Sequence, residues 1–174
     1  MTAYVALLRG INVGRANRIG MADLRALLTD LGYGDVRTLL QSGNAVFTAQ
    51  GRPATVIREI EAALAERHGM AVRVLVRTAA ELRAVVDGNP MAEAATDPSK
   101  FVVTFLSEAP DGGPDPDAMA PDTFVIAGRE VYMWFPNGIR DAKLAAYPWH
   151  KLGVVASGRN WTTVQKLTAL AEAA

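Results

Sequence analysis

A loop between the first predicted strand and the first predicted helix carries the residues best suited to binding an anion. Residues 9–18 contain three arginines, two asparagines and two glycines, and no acidic residue. Glycine lets a loop turn its backbone N–H groups towards an anion, and arginine offers a forked, permanently charged partner for phosphate or carboxylate. The candidate ligand contacts in this loop are Arg9, Gly10, Asn12, Gly14 and Arg15.

The same loop also has a purely structural interpretation. It lacks the Gly-Lys-Ser/Thr of a phosphate-binding P-loop, and it does not match Gly-x-Gly-x-x-Gly. In this interpretation Gly10 and Gly14 shape a long connection while Asn12 bonds its own backbone, as asparagine commonly does in turns. The start of the following helix, which carries a partial positive charge, supports the anion-binding alternative. Both interpretations stay open.

Two further groups of residues are candidate contacts for the same ligand. Ser42, Gly43 and Asn44 form a predicted tight turn, and this sequence is more typical of plain turn chemistry than of a binding site. Arg159 and Asn160 stand directly before the last predicted helix. A helix cap is the favoured interpretation of that pair, and a second anion seat is the alternative.

The elements that position the first loop follow from the spacing of the apolar residues. The first half of the chain shows a β-α-β-β-α-β order, in which both helices end at glycines, Gly32 and Gly69. This is the order of a ferredoxin-like unit with an antiparallel sheet, and it brings the first loop and the 42–44 turn to one end of that sheet. The two-residue period of the last strand predicts that Arg73 and Arg77 face solvent.

The second half is predicted to be a smaller α+β part that packs against the first, so the fold class is α+β. Thr78 and Glu81 have the spacing of a capping box at the start of a helix. A strand at 101–106, a hairpin around residues 128–129 and a final helix from about Trp161 follow. We expect the units to span 1–78 and 79–174, or else to form one compact domain.

Composition excludes several classes of function. The chain has no cysteine, which removes disulfides, thiolate metal sites and thiol nucleophiles, and favours a cytoplasmic location. Its formal net charge is +0 and its apolar N-terminal run is short, so we expect neither broad binding to nucleic acid nor a membrane anchor. No metal-ligand spacing is present, and we expect no metal and no cofactor.

Three sequence motifs occur together in this order: LLRGINVG at 7–14, QSGN at 41–44 and RNW at 159–161. In these motifs the chain resembles the bacterial family known as domain of unknown function 1697, and the resemblance extends over nearly the whole chain. It departs from the family pattern at Arg15, where a glycine is usual, and at Ala142, where a serine is usual. The resemblance implies an α+β fold with a ferredoxin-like N-terminal part, and it implies no established activity.

The leading functional prediction is a protein that binds a small anionic or nucleotide-like ligand between the first loop and the 42–44 turn. The alternatives are a low-turnover transferase or hydrolase that acts through Ser42 or a loop arginine, and an RNA or protein interaction module. In the RNA alternative, bases would stack on Tyr4 and Phe47, but the glycine-aromatic consensus of that module is absent. Catalysis is the less favoured prediction, because the sequence shows no serine-histidine-acid pattern and no clustered carboxylates. The sequence makes no prediction of the oligomeric state.

Overall fold

The computed structural model describes all 174 residues, which form two compact units. The first unit comprises residues 1–83 together with 166–174, and the second comprises residues 84–165. The sequence-based division fell after residue 78. The structure groups residues 79–83 and the segment 166–174 with the first unit. None of the helices combines the length and the apolar character needed to cross a bilayer.

The first unit contains a four-stranded sheet in the order β2-β3-β1-β4, and every neighbouring pair is antiparallel. Its strands are β1 (Thr2–Leu8), β2 (Gly34–Leu39), β3 (Asn44–Ala49) and β4 (Val74–Thr78). Its helices are α1 (Met21–Asp30) and α2 (Pro53–His68). The predicted order of elements is therefore confirmed.

The core of the first unit lies between one face of this sheet and the apolar faces of its helices. Alternate residues of β1 point into it, namely Tyr4, Ala6 and Leu8. Leu24 and Ile60 reach it from α1 and α2, and both are fully buried. Removing such a side chain from water contributes about 1.5–3 kcal/mol, so these alternating and helical periods fix which face of each element turns inward.

The prediction that Arg77 faces solvent on β4 is wrong. Its side chain is only 1% exposed, and Val74, Leu75 and Val76 are buried too, so this strand is covered on both faces. The guanidinium donates to the carbonyl of Val76 at 3.1 Å, among other contacts. Two-residue alternation predicts which residues are exposed only when one face of the strand is in contact with solvent. When both faces are covered, a polar residue such as Arg77 is buried and is satisfied by hydrogen bonds within the protein.

The segment 166–174 is tied to the first unit by an ion pair. The Arg83 guanidinium donates two hydrogen bonds to the carboxylate of Glu172. Nη2 lies 2.5 Å from Oε1, and Nε lies 3.2 Å from Oε2. These hydrogen bonds lower the pKa of Glu172. A forked arginine on a carboxylate is geometrically specific, so the pair is a directional contact between this segment and the helix that contains Arg83.

The second unit contains another antiparallel four-stranded sheet, in the order β6-β7-β5-β8. Its strands are β5 (Phe101–Leu106), β6 (Thr123–Ala127), β7 (Glu130–Trp134) and β8 (Ala156–Asn160). Its helical segments are the remainder of α3 (Ala79–Asp87), the short α4 (Pro116–Met119) and the first part of α5 (Trp161–Glu172). The α+β class with antiparallel sheets is confirmed for both halves.

The two sheets have the same order of strands and connections, although the sequence contains no repeat. In the first unit, the N–H of Leu8 donates to Gly43 O at 2.9 Å, and the next N–H, that of Arg9, donates to Arg73 O at 3.0 Å. Each bond joins the end of the first strand to the connection on one side of it. The sheet order β2-β3-β1-β4 places those connections there.

In the second unit the corresponding bonds occur at the end of β5. The N–H of Leu106 donates to Arg129 O at 2.8 Å, and the N–H of Ser107 donates to Val155 O at 2.9 Å. The first strand of each sheet therefore ends against the hairpin turn on one side and against the approach to the last strand on the other. Topology repeats within this chain although residue identity does not.

Candidate functional site

Three connections meet at one end of the first sheet, and we call this end the arginine rim. It comprises residues 9–20, 40–43 and 69–73. The bonds from Leu8 and Arg9 hold the first of these connections to the other two. A third bond joins the loops directly, since Asn12 Nδ2 donates to Gln41 O at 2.7 Å. The predicted gathering of the glycine-bearing loop and the hairpin turn is thus present in the first unit.

Asn12 is the residue that organises the long loop. Its backbone has a positive φ of 55°, and its side chain exchanges two hydrogen bonds of 2.9 Å with the backbone of Ile19. With the bond to Gln41, both N–H groups of the amide are used within the protein. For Asn12 the structure supports the structural interpretation, because the side chain has no N–H left for a ligand.

The glycines of the rim serve two different purposes. Gly10 and Gly14 have φ values of 68° and 65°, and a side chain at either place would meet no atom within 4 Å. They are needed for backbone conformation alone. Gly43 has φ 94°, and a Cβ there would lie 2.8 Å from Ile11 and 2.9 Å from Leu8. The absence of a side chain at Gly43 therefore also allows the turn to pack closely against Ile11 and Leu8.

Arg9 and Arg15 are the two charged groups of the rim that have no partner within the protein. Both side chains are exposed, and neither guanidinium makes an ion pair or hydrogen bond. Arg18 differs, because its Nη1 donates to the carbonyls of Asn12 and Gly14, each at 3.2 Å. The loop is thus braced by one arginine and presents two others to solvent.

The start of α1 offers less to an anion than its position suggests. Gly20 is the N-cap and supplies no side-chain cap, but Asp23 lies in the first turn. Its Oδ2 lies 3.6 Å from the place where a Cβ of Gly20 would stand, close to the exposed N–H groups of the helix. A carboxylate already complements the partial positive charge there. The arginines, and not the helix end, carry the positive field of the rim.

The 42–44 turn is held mainly by Asn44, which is fully buried. Its Nδ2 donates to Leu39 O at 2.8 Å and to Ser42 Oγ at 3.1 Å. Asn44 is a turn-forming residue, as the less specific interpretation predicted. Ser42 remains exposed, so its hydroxyl adds a polar group at the surface beside the loop.

Arg159 and Asn160 belong to the second unit, whereas the other candidates belong to the first. Asn160 Oδ1 accepts the N–H of Thr163 at 2.9 Å and so caps α5. Arg159 is 9% exposed, and its guanidinium donates to Ser157 Oγ at 2.7 Å and to Gly158 O at 2.8 Å. Burial lowers the pKa of Arg159 to about 10. Both residues have structural partners in their own unit.

The aromatic platform required by the RNA alternative is not available on this sheet. Tyr4 is 3% exposed and Phe47 is fully buried, and the Tyr4 hydroxyl donates to Gly51 O at 2.7 Å. Bases cannot stack on rings that are packed in the core. No group of three or more His, Asp or Glu side chains is arranged to hold a metal ion.

Two residues of the rim were missed by sequence reasoning, Val13 and Leu40. Their side chains are 72% and 58% exposed, although both are apolar. Leu40 also has a positive φ of 61°, a left-handed conformation that costs a non-glycine residue about 1–2 kcal/mol. Local sequence favours a strand that continues through Leu40, because an apolar residue after Thr38 and Leu39 fits the strand pattern.

Comparison with known proteins defines a family and a fold. The sequence model of the family described as protein of unknown function DUF1697 matches residues 1–132. The chain therefore belongs to that family. Among curated proteins none matches it. The structure is similar to that of the conserved bacterial protein SP0830 from Streptococcus pneumoniae, with a TM-score of 0.75 and 22% identity over 98% of each chain. At that identity the likeness concerns the fold.

Proposed function

We propose that this protein binds a small anionic, phosphate-bearing ligand at the arginine rim, through the side chains of Arg9 and Arg15. The observation that carries the proposal is that two exposed guanidinium groups have no partner on a loop whose path is fixed by the side-chain hydrogen bonds of Asn12. Every other charge-bearing group of that loop has a partner, since Arg18 is bonded to backbone carbonyls.

The bracing of the loop favours binding because it reduces the entropy lost when a ligand arrives. Asn12, Ile19 and Gln41 already fix the path of the backbone on which the arginines stand. A binding site that is ordered in advance loses less conformational freedom on complex formation. Hydrogen bonds from a charged donor typically contribute about 1.5–3 kcal/mol, and solvent exposure places this pair at the low end.

The test is the change in melting temperature on addition of inorganic pyrophosphate. We expect a rise for the natural protein and a much smaller rise for Arg9→Ala and Arg15→Ala, because each variant removes one anion contact. The unliganded variants should melt close to the natural protein, since neither arginine has a partner to lose.

Arg52→Ala is the matched control. Arg52 is also an exposed arginine of the first unit, but it follows β3 and so lies at the opposite end of the sheet. This variant should keep the full rise. A pyrophosphate response that persists in the double variant of Arg9 and Arg15, or no response in the natural protein, would contradict the proposal.

Catalysis through Ser42 gains no comparable support. The partner of its Oγ is the amide of Asn44, and an amide donor cannot accept the hydroxyl proton as a general base does. Binding without turnover is the function that the contacts of the rim favour.

For the fold, we propose that the first unit is a ferredoxin-like unit. In support, the order β2-β3-β1-β4 is the one that arises when the third strand inserts beside the first in a split β-α-β pattern. The same strand order recurs in the second sheet.

A further inference from the structure

Exposed apolar side chains concentrate at the arginine rim. Beyond Met1, the most exposed large apolar residues of the chain are Val13, at 72%, and Leu40, at 58%, whereas the remaining ones are exposed by 37–38%. Single exposed apolar residues are normal on a protein surface. Two that far exceed the rest, placed on adjoining connections at the end of one sheet, form a pattern that calls for a physical cause.

The two residues are chain neighbours of the pair that joins the loops. Val13 follows Asn12, and Leu40 precedes Gln41, so they adjoin the two ends of the 2.7 Å bond from Asn12 Nδ2 to Gln41 O. Arg15 lies two residues beyond Val13 on the same loop. Exposed apolar residues and an unpartnered arginine therefore stand on two connections that are joined to each other.

Leu40 is unfavourable in the unliganded protein on two grounds. Its left-handed backbone disfavours any residue with a branched side chain, and its exposed side chain leaves apolar surface in water. Asparagine or glycine at this position would remove both penalties. Strain of this kind concentrates at ligand-binding positions.

We infer that the ligand of the arginine rim carries an apolar group beside its phosphate. The inference rests on the proposed function, and it names the ligand class as a phosphate monoester with an apolar substituent. Arg9 and Arg15 contact the phosphate, and Val13 and Leu40 contact the substituent. An alkyl chain and a nucleoside base share this chemistry.

The experiment compares dissociation constants for a graded set of phosphates measured by calorimetry. The probes are methyl phosphate against hexyl phosphate, and ribose 5-phosphate against adenosine 5′-monophosphate. Each methylene that leaves water strengthens binding by about fourfold, so partial burial of the chain predicts that hexyl phosphate binds at least tenfold more tightly than methyl phosphate. A preference for adenosine 5′-monophosphate over ribose 5-phosphate instead identifies a base as the substituent, and either preference supports the inference.

The decisive variant is Leu40→Asn. Asparagine tolerates positive φ, so this variant should have a higher melting temperature than the natural protein while it loses most of the preference for the apolar probe. Ile139→Asn, which changes an exposed apolar residue of the second unit, should keep the preference.

The outcomes separate the two claims. Equal affinity for the apolar and the plain probe of both pairs overturns the inference and leaves anion binding intact. An unchanged preference in Leu40→Asn overturns the role of Leu40. Failure of every phosphate to bind overturns the inference and the proposed function together.

Discussion

Gly43 shows how one residue can determine whether two connections meet. Its N–H and C=O belong to the hairpin turn, its carbonyl accepts the N–H of Leu8, and its missing side chain leaves room for Ile11. Conformation and space are separate demands, and only glycine satisfies both at this position. The sequence predicted the first demand from turn chemistry, but the second depends on contacts between distant residues and is not written in local sequence.

Gly43→Ala should destabilise the protein by about 3 kcal/mol, because the new methyl group meets Ile11 and Leu8 at 2.8–2.9 Å and the backbone stays in a disfavoured region. Gly10→Ala is the comparison. It has a similar φ with no atom within 4 Å, so it should cost only about 1 kcal/mol. Urea-induced unfolding measures both. Equal losses would show that crowding at Gly43 does not matter.

Some candidate residues have the structural roles that local sequence predicts, and others do not. The predicted roles of Asn44 and Asn160 as turn and cap residues follow from rules about asparagine and neighbouring backbone, and the structure confirms them. The exposure of Leu40 could not be predicted, because an apolar residue at the end of a strand normally turns inward. The burial of Arg77 escaped prediction for a related reason, since it depends on what covers the second face of β4.

At the scale of elements, the start of α3 is determined by a reciprocal pair of hydrogen bonds. The N–H of Thr78 donates to Glu81 at 2.8 Å, and the N–H of Glu81 donates to the Thr78 hydroxyl at 3.1 Å. This is the capping box that the spacing predicted. Such a signal is readable from sequence because both partners lie within one helical turn.

Thr78→Ala should therefore lower the free energy of unfolding by about 1 kcal/mol, through the loss of one cap hydrogen bond. Thr29→Ala is a suitable control, because Thr29 is an exposed threonine near the end of α1 without a side-chain hydrogen bond. It should be neutral or slightly stabilising, since alanine favours helix. Thermal unfolding distinguishes the two, and identical midpoints for both variants would reject the cap.

Most helices and strands were predictable, because their apolar period matches the face that they bury. The strand β8 and the short helix α4 were not predicted, because neither sequence has a clear apolar period. Ends were predictable where a glycine with positive φ terminates a helix, as Gly69 does after α2 with φ 63°. The repeated strand order of the second unit was not predictable. The residues of its sheet show no similarity to those of the first sheet. Pairing between strands depends on residues far apart in the chain, so local sequence does not predict it.

At the scale of the whole molecule, the formal net charge is +0, but the connection after the first strand is positive in the first unit and negative in the second. In the first unit, residues 9–20 carry three arginines and no acid. In the second unit, residues 107–122 follow the corresponding strand and carry five acidic residues and no lysine or arginine. Anions should therefore distinguish between two units of like topology.

Titration of the isotopically labelled protein with pyrophosphate tests this distinction. We expect amide chemical-shift changes at residues 9–20 and 40–44, and little change at 107–115, where the acidic side chains repel the probe. Raising the salt concentration should reduce the changes, because the arginines are exposed. Changes concentrated instead at Arg159 and Asn160 would move the site to the start of α5.

The discontinuity of the first unit has a consequence for synthesis on the ribosome. Residues 1–83 emerge before the 82 residues of the second unit, yet residues 166–174, which join them through Arg83 and Glu172, emerge afterwards. At 5–20 residues per second, the interval is roughly 4–16 s. During that time the first unit lacks residues 166–174, whose Leu167 and Ala171 are buried in the folded chain.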